Sequence, residues 1–480
     1  MDELIVKPSV SLGEEVIHLS TLDQQAQRHY AKPMFLFRYE HCGLRDPVIK
    51  HLRAGLSTAL SETPDFASTI VPVPGSTRKE LQLELGPGSG APWRVVDYTD
   101  EANQSRWPHG SFDELASNYF SFARIPSEHV VPPSFLDIPD NACKLAALGI
   151  QISLIPGGFI LAFCWHHTVS DARGANVLLR SWARHTKESF LHGKPNDPTL
   201  PSEDKDDRWR LNYGLNNATI SEIPEYIIDP SKRCPLTQGS PHLFDRENQI
   251  AVPFEISTWY FPAPSIQALR NTLGTAATSD SSPFTPVEAI CALLWKHVSR
   301  ARRLAEKGHQ TSLFTTRLEF RARLAPPLDG DFIGNITEPN ARMRLPLEEI
   351  CSPATATSLT TLASAIRQAT EAVDEAAVRG YIGLINALSA VTDLTWGYYG
   401  FPGPDFGVTD LSGLDVFRTD WGSGLGSPVC MRLAYREEGL LYLFPIDSEG
   451  GMEVQVLCEP EAVERLRADE GVTKFATFRG

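Results

Sequence analysis

The hydrophobic pattern of the chain is most informative between residues 145 and 180. Residues 145–165 are mostly apolar, broken by Gln151, Ser153 and the turn-forming Pro156-Gly157-Gly158. The pattern predicts two buried strands joined as a hairpin rather than a membrane span. The second strand ends in the aromatic run Phe163-Cys164-Trp165, and His166, His167 and Asp171 follow at once. From residue 172 to 180 the apolar positions Ala175, Val177, Leu178 and Leu179 suit a helix packed on one side, with Ser170 as its N-cap. Two imidazoles and a carboxylate are thus expected where a strand ends and a helix begins.

Before that stretch, strands are expected at 16–20, 34–39, 82–85 and 94–98, and helices at 47–60 and 112–122. Residues 187–245 are polar and rich in Pro, Asp and Lys, which suits an extended crossover between two halves. The halves are taken as 1–200 and 246–480, with 201–245 as the linker. In the second half, strands are expected at 250–261, 313–320, 442–446 and 452–457. Strand and turn are expected at 407–417, and helices at 265–273, 358–378 and 460–468. The clearest helix follows Thr285. Thr285 is a good N-cap, Pro286 fits the first turn, and Glu288 completes a capping box before a run that ends in Arg300-Ala301-Arg302-Arg303.

The chain has 480 residues and a net charge of −15, with no long basic run, which argues against sequence-independent nucleic-acid binding. The N-terminal MDELIVKPSV has no basic n-region and no apolar h-region, so a cytoplasmic protein is expected. The eight cysteines (Cys42, Cys143, Cys164, Cys234, Cys291, Cys351, Cys430 and Cys458) are scattered without a CxxC pair. Reduced thiols are expected, and no metal site. The glycines at 422–426 have GxGxG spacing, not a dinucleotide fingerprint, and no GxSxG elbow is present.

Histidine has the ordinary pKa best suited to moving protons near neutrality. The short HHxxxD pattern equally fits a buried histidine pair with Asp171 at a helix start. Cys164, three residues before His167, is a tempting nucleophile. Its place inside an apolar strand instead predicts a buried, protonated thiol.

Several segments together resemble the BAHD family of acyl-CoA-dependent acyltransferases, especially its fungal, trichothecene 3-O-acetyltransferase-like branch. They are Leu19-Ser20-Thr21-Leu22-Asp23, the HxxxD motif His167 to Asp171, and the capped helix with Trp295 and Ala301-Arg302. Arg321-x-Arg323-x-x-Pro326-Pro327, Phe332-x-Gly334-Asn335 and Asp420-Trp421-Gly422 follow in the family's order. Ala172 stands where the family usually has Gly, and Asp420-Trp421-Gly422 occupies the place of its DFGWG element.

The resemblance implies an α/β protein of two chloramphenicol-acetyltransferase-like domains, each a mixed sheet with helices, meeting at a channel. His167 would be the catalytic base at mid-channel and His166 structural. Asp171 would point away and pair with Arg321 or Arg323. Thr285, Arg302, Arg303, Gly422 and Ser423 would touch the donor, and Asp420 and Trp421 would support the domain interface. No tightly bound cofactor is implied. The co-substrate would be an acyl-CoA, acetyl-CoA first among them, and the acceptor a polycyclic alcohol bound by a monomer without membrane or nucleic acid. Competing readings are a condensation-type domain fed by a carrier protein, and a family member repurposed for binding or isomerisation.

Overall fold

Strands Leu148–Ile155 and Gly158–His166 are buried along their whole length, as strands covered on both faces must be. They form the expected hairpin, with Gly157 in the left-handed region (φ +81°) at the turn. In this computed structural model, residues 4–43, 46–139, 142–201, 207–230, 252–274, 282–422, 424–434 and 441–480 are described. Residues 202–206 and 231–245 of the expected linker, Cys234, residues 250–251 and Ser423 lie outside the described residues.

The hairpin is the centre of the first half's main sheet, ordered Leu4–Val6, Ala91–Asp97, Leu148–Ile155, Gly158–His166, Pro33–Arg38, Cys430–Leu433. Tyr30–Ala31 adds to the His166 end of its strand. Ala91–Asp97 runs parallel to its hairpin neighbour and the other pairs are antiparallel. Cys430–Leu433 comes from far along the second half, with Met431 opposite Phe35. A smaller antiparallel sheet joins Glu15–His18, Leu81–Leu85, Thr69–Pro72 and Leu145–Ala146.

Helices Pro47–Glu62 and Ala172–His192 pack into the same core. Gly55 lets them cross closely: a Cβ there would lie 2.7 Å from the Thr186 backbone nitrogen. Trp182 is fully buried between them and donates to the Leu52 carbonyl at 2.7 Å.

The second half has its own mixed sheet, ordered Ala341–Pro346, Thr311–Thr316, Phe406–Asp410, Leu441–Leu443, Met452–Cys458, Glu255–Phe261, Thr477–Phe478. Thr311–Thr316, Phe406–Asp410 and Leu441–Leu443 are mutually parallel. Helices Ala263–Leu273, Pro286–Ala301, Ala356–Glu371 and Pro460–Arg467 share its core.

Several elements differ from expectation. The N-cap of Ala172–His192 is Asp171, whose carboxylate accepts from Gly174 N, and not Ser170. The helix expected at 358–378 is two helices, Ala356–Glu371 and Glu375–Asn386, because Asp374 caps the second by accepting from Ala377 N. The helix expected at 112–122 stops at Ser117. Tyr119 and Phe120 then turn through positive φ, and the buried Arg432 guanidinium donates to both of their carbonyls. The strand expected at 313–320 ends at Thr316. The described part of the crossover is not simply extended: Tyr226–Ile228 pairs with Leu394–Trp396.

Candidate active site

His166 is the last residue of its strand and His167 the first beyond it. Side chains alternate along a strand, so Phe163, Trp165 and His167 share one face while Cys164 and His166 share the other. Accordingly His167, Phe163 and Trp165 line one cavity wall. His166 is buried edge-on against Tyr30, and its Nδ1 accepts from Thr168 N at 3.3 Å.

The tautomer of His167 follows from its neighbours. The Asn335 side-chain amide nitrogen donates to the His167 carbonyl at 2.9 Å and to Asp23 Oδ1 at 3.0 Å. Its backbone N–H also reaches Asp23 Oδ1, at 2.7 Å. With the amide nitrogen so committed, Asn335 Oδ1, 3.0 Å from His167 Nδ1, is the acceptor. Nδ1 therefore carries the proton and Nε2 the lone pair. Asp23 is itself buried and held by both the N–H and the hydroxyl of Ser20 and by Arg208. The segments around Asp23 and Asn335 were noticed in the sequence only as family markers; contact between residues 312 positions apart carries no local signal.

Asp171 is almost fully buried and pairs bidentately with Arg321: Nη1 to Oδ2 at 3.1 Å and Nη2 to Oδ1 at 3.0 Å. Asp171 also accepts from the backbone of Gly174 and Ile336. Arg321 further donates to the carbonyls of Phe332 and Gly334. One ion pair thus joins the start of the motif helix to the loop that carries Asn335. Arg323 faces elsewhere, donating to the carbonyls of Thr370 and Val373 at the end of Ala356–Glu371.

His167 forms part of the wall of a cavity of about 360 Å³ between the halves. The second half contributes Thr315, Arg317, Gly407 and Thr409 to it, and the first half His29 and Asn176. Arg317 is paired with Glu338 at 3.4 Å and lies 4.7 Å over the Trp396 ring. The His29 ring stands edge-on to His167 at 5.6 Å. Burial, with help from His29 and Arg317, lowers the His167 pKa to about 4. Burial, Lys32 and Arg317 lower that of His29 to about 3. Both rings are neutral at pH 7, so a neutral imidazole with a free Nε2 faces a cavity of mixed polar and apolar lining between the two halves. Such a site can take a proton from a hydroxyl. His29 and Arg317 were not singled out from the sequence; each sits outside any motif and reaches the cavity only through the fold.

Of the residues expected to touch the donor, the described ones, Thr285, Arg302, Arg303 and Gly422, do not line this cavity. Thr285 is exposed and caps its helix, accepting from Glu288 N at 3.1 Å. Arg302 lies apart from this cavity. Its guanidinium is buried and donates to Glu459, Gly403 and Pro402 over the Phe401 ring. Arg303 is at the surface near Glu306. Gly422 packs against Lys187, and its neighbour Asp420 pairs with Lys187 at 2.8 Å. Trp421 is fully buried between Phe37 and Trp182, with ring centroids 5.5 and 5.1 Å away. This loop fastens the second half to the first. Cys164 is buried, its pKa pushed up to about 12 by desolvation. Among the described residues no group of three or more metal-binding side chains occurs, and no helix is long and apolar enough to cross a membrane.

Residues 126–471 match the model of the Transferase family, and residues 30–185 match the trichothecene 3-O-acetyltransferase-like N-terminal domain. The chain is 50% identical to the acyltransferase easC of Emericella nidulans over 480 residues, covering 100% of this chain and 98% of that protein. It is 46% identical to the acyltransferase cm3D of Cordyceps militaris over 486 residues, covering both in full. Among solved structures, it resembles F. graminearum TRI101 complexed with coenzyme A and deoxynivalenol (TM-score 0.80, 18% identity, 97% of this chain and 100% of that one). It also resembles vinorine synthase (TM-score 0.63, 16% identity, 99% and 97%), and both share its two-domain α/β fold. A family match over most of the length, joined to a relative with half its residues identical end to end, places the chain in the Transferase family, the BAHD acyltransferases.

Proposed function

We propose that the chain is an acyl-CoA-dependent acyltransferase that moves an acyl group from the CoA thioester to a hydroxyl of a small secondary metabolite, with His167 as general base. The observation that carries this is the hydrogen bond from His167 Nδ1–H to Asn335, which reserves Nε2 for the acceptor proton inside a cavity between the halves. Family membership and the relatives named acyltransferases support the reaction class.

His167 takes the hydroxyl proton through Nε2 as the oxygen attacks the thioester carbonyl, then returns that proton to the departing CoA thiolate. The oxyanion formed between these steps needs a donor. Thr315 lines the cavity and its hydroxyl has no hydrogen-bond partner among the described residues, but that oxygen is shielded and would have to turn outward to serve as the donor. Asp171 acts as a positioning residue, through Arg321 and the loop holding Asn335. Acyl-CoA is a co-substrate and no tightly bound cofactor is required. We place the enzyme in the cytoplasm as a monomer. The free thiols of Cys42, Cys143, Cys164, Cys291, Cys351, Cys430 and Cys458 suit a reducing compartment.

The test is incubation of the purified protein with acyl-CoAs and a panel of polycyclic alcohols, following CoA thiol release and product mass. Acceptor-dependent thiol release with an ester product is expected. Transfer only from a carrier-protein thioester would replace this reading with the condensation-type one.

A further inference from the structure

A second cavity, of about 70 Å³, shares the His167 wall with the main one. Its character is different. Its sides are the buried apolar residues Phe35, Phe163, Trp165, Leu179, Val416 and Met431, drawn from the first half's sheet, the motif helix and a loop of the second half. Where the two cavities meet stands Asn176, one turn into the motif helix and part of both walls. Asn176 is only 8% exposed, and its amide oxygen has no hydrogen-bond partner among the described residues. A dry, apolar side pocket gains only when an apolar group fills it.

We propose that this side pocket holds the tail of the donor's acyl group, and that the donor carries a medium-length aliphatic chain rather than acetyl. This rests on the acyl-CoA reading above. A thioester with its carbonyl carbon at His167 must send its two ends in different directions. The pantetheine arm, with its amides, suits the larger cavity, where Thr315, Arg317 and Thr409 bring polar groups. The acyl tail then has the apolar pocket ahead of it. At 70 Å³ the pocket is several times the roughly 10–15 Å³ that admits a single water, room for a short aliphatic chain. A rigid polycyclic acceptor is too bulky for it, whereas a flexible chain fits. Acetyl would leave the pocket empty.

The experiment is calorimetric titration of the whole protein with CoA, acetyl-CoA, butyryl-CoA, hexanoyl-CoA and octanoyl-CoA. Burying a methylene is worth about fourfold in affinity, so binding should tighten on the order of a hundredfold from acetyl-CoA to hexanoyl-CoA and then level off. Ala175→Leu, on the motif helix, and Val416→Phe, on the facing loop, each fill the pocket. Either should abolish the gain with chain length while leaving the affinity for CoA itself unchanged, which also shows that the variant is folded. Equal affinity for all chain lengths, or a gain that survives both variants, would place the tail elsewhere and overturn the proposal. If no CoA species binds the wild-type protein, the acyl-CoA reading itself falls, and this inference with it.

Discussion

At the residue scale, the site turns on which of two adjacent histidines faces the cavity. Strand alternation turns His166 into the core beside Tyr30 and leaves His167 at the cavity wall. His167→Ala should lower kcat by about 10²–10⁴-fold with an unchanged melting temperature, the usual range for a lost general base. His166→Ala should keep most of the activity but melt lower, because it empties a buried site. Activity and melting curves of the two variants, measured side by side, check both statements. The pH profile follows from burial. The His167 pKa, lowered from 6.5 to about 4, keeps the imidazole neutral from pH 8 down to about 5. The acid limb of kcat/KM should therefore lie near pH 4, and a limb at the ordinary histidine value would contradict this environment. Stability follows the same sign. The unfolded chain protonates His167 and His29 near 6.5, but the folded chain does so only near 4 and 3. Their contribution is complete above pH 6.5 and is lost as pH falls through the folded values.

At the element scale, Asp171 does two jobs. It caps the motif helix, worth about 1 kcal/mol. It also neutralises Arg321, and both side chains are 2% exposed. Leaving such an arginine unpaired costs about 3–5 kcal/mol. Asp171→Ala should thus lower the melting temperature and the activity together. The double variant Asp171→Ala/Arg321→Met should be less destabilised than the sum of the singles, since the two residues share one interaction. Lost activity with an unchanged melting temperature would mean that Asp171 acts on the chemistry directly. Caps also explain which elements were legible. The Thr285–Glu288 box is a local signal and the helix starts where it says. Asp374 is an equally local cap, but it lies inside a continuous apolar period, so two helices read as one.

At the scale of the whole molecule, the halves are interlocked rather than merely joined. Cys430–Leu433 completes the first half's sheet, and Trp421 fills a slot between Phe37 and Trp182. The cavity between the halves draws its walls from both, and the proposed transfer at His167 is expected to run without a covalent relay. Cys164 lies on the opposite strand face, and its pKa near 12 keeps it a thiol. Initial rates at varied concentrations of both substrates should give intersecting lines. Intact-mass spectra with acyl-CoA alone should show no acyl adduct. Parallel lines with an adduct that disappears in Cys164→Ala would instead establish an acyl-enzyme.

What the sequence by itself determined was whatever a short window encodes: the buried hairpin, the capped helix, the HxxxD turn, and through several such segments in order, the family. Those signals arise from alternation, capping and backbone preference, which act over a few residues. Only the tertiary structure decided that Asn335 sets the His167 tautomer, that Asp171 takes Arg321 and not Arg323, and that Arg302 is buried inside the second half. The same holds for the apolar pocket beside His167, whose walls come from residues 35, 163, 179, 416 and 431. Each of these depends on side chains brought together across more than a hundred residues of chain. Burial and pairing at that distance are set by how the sheets and helices pack, and no local pattern records them.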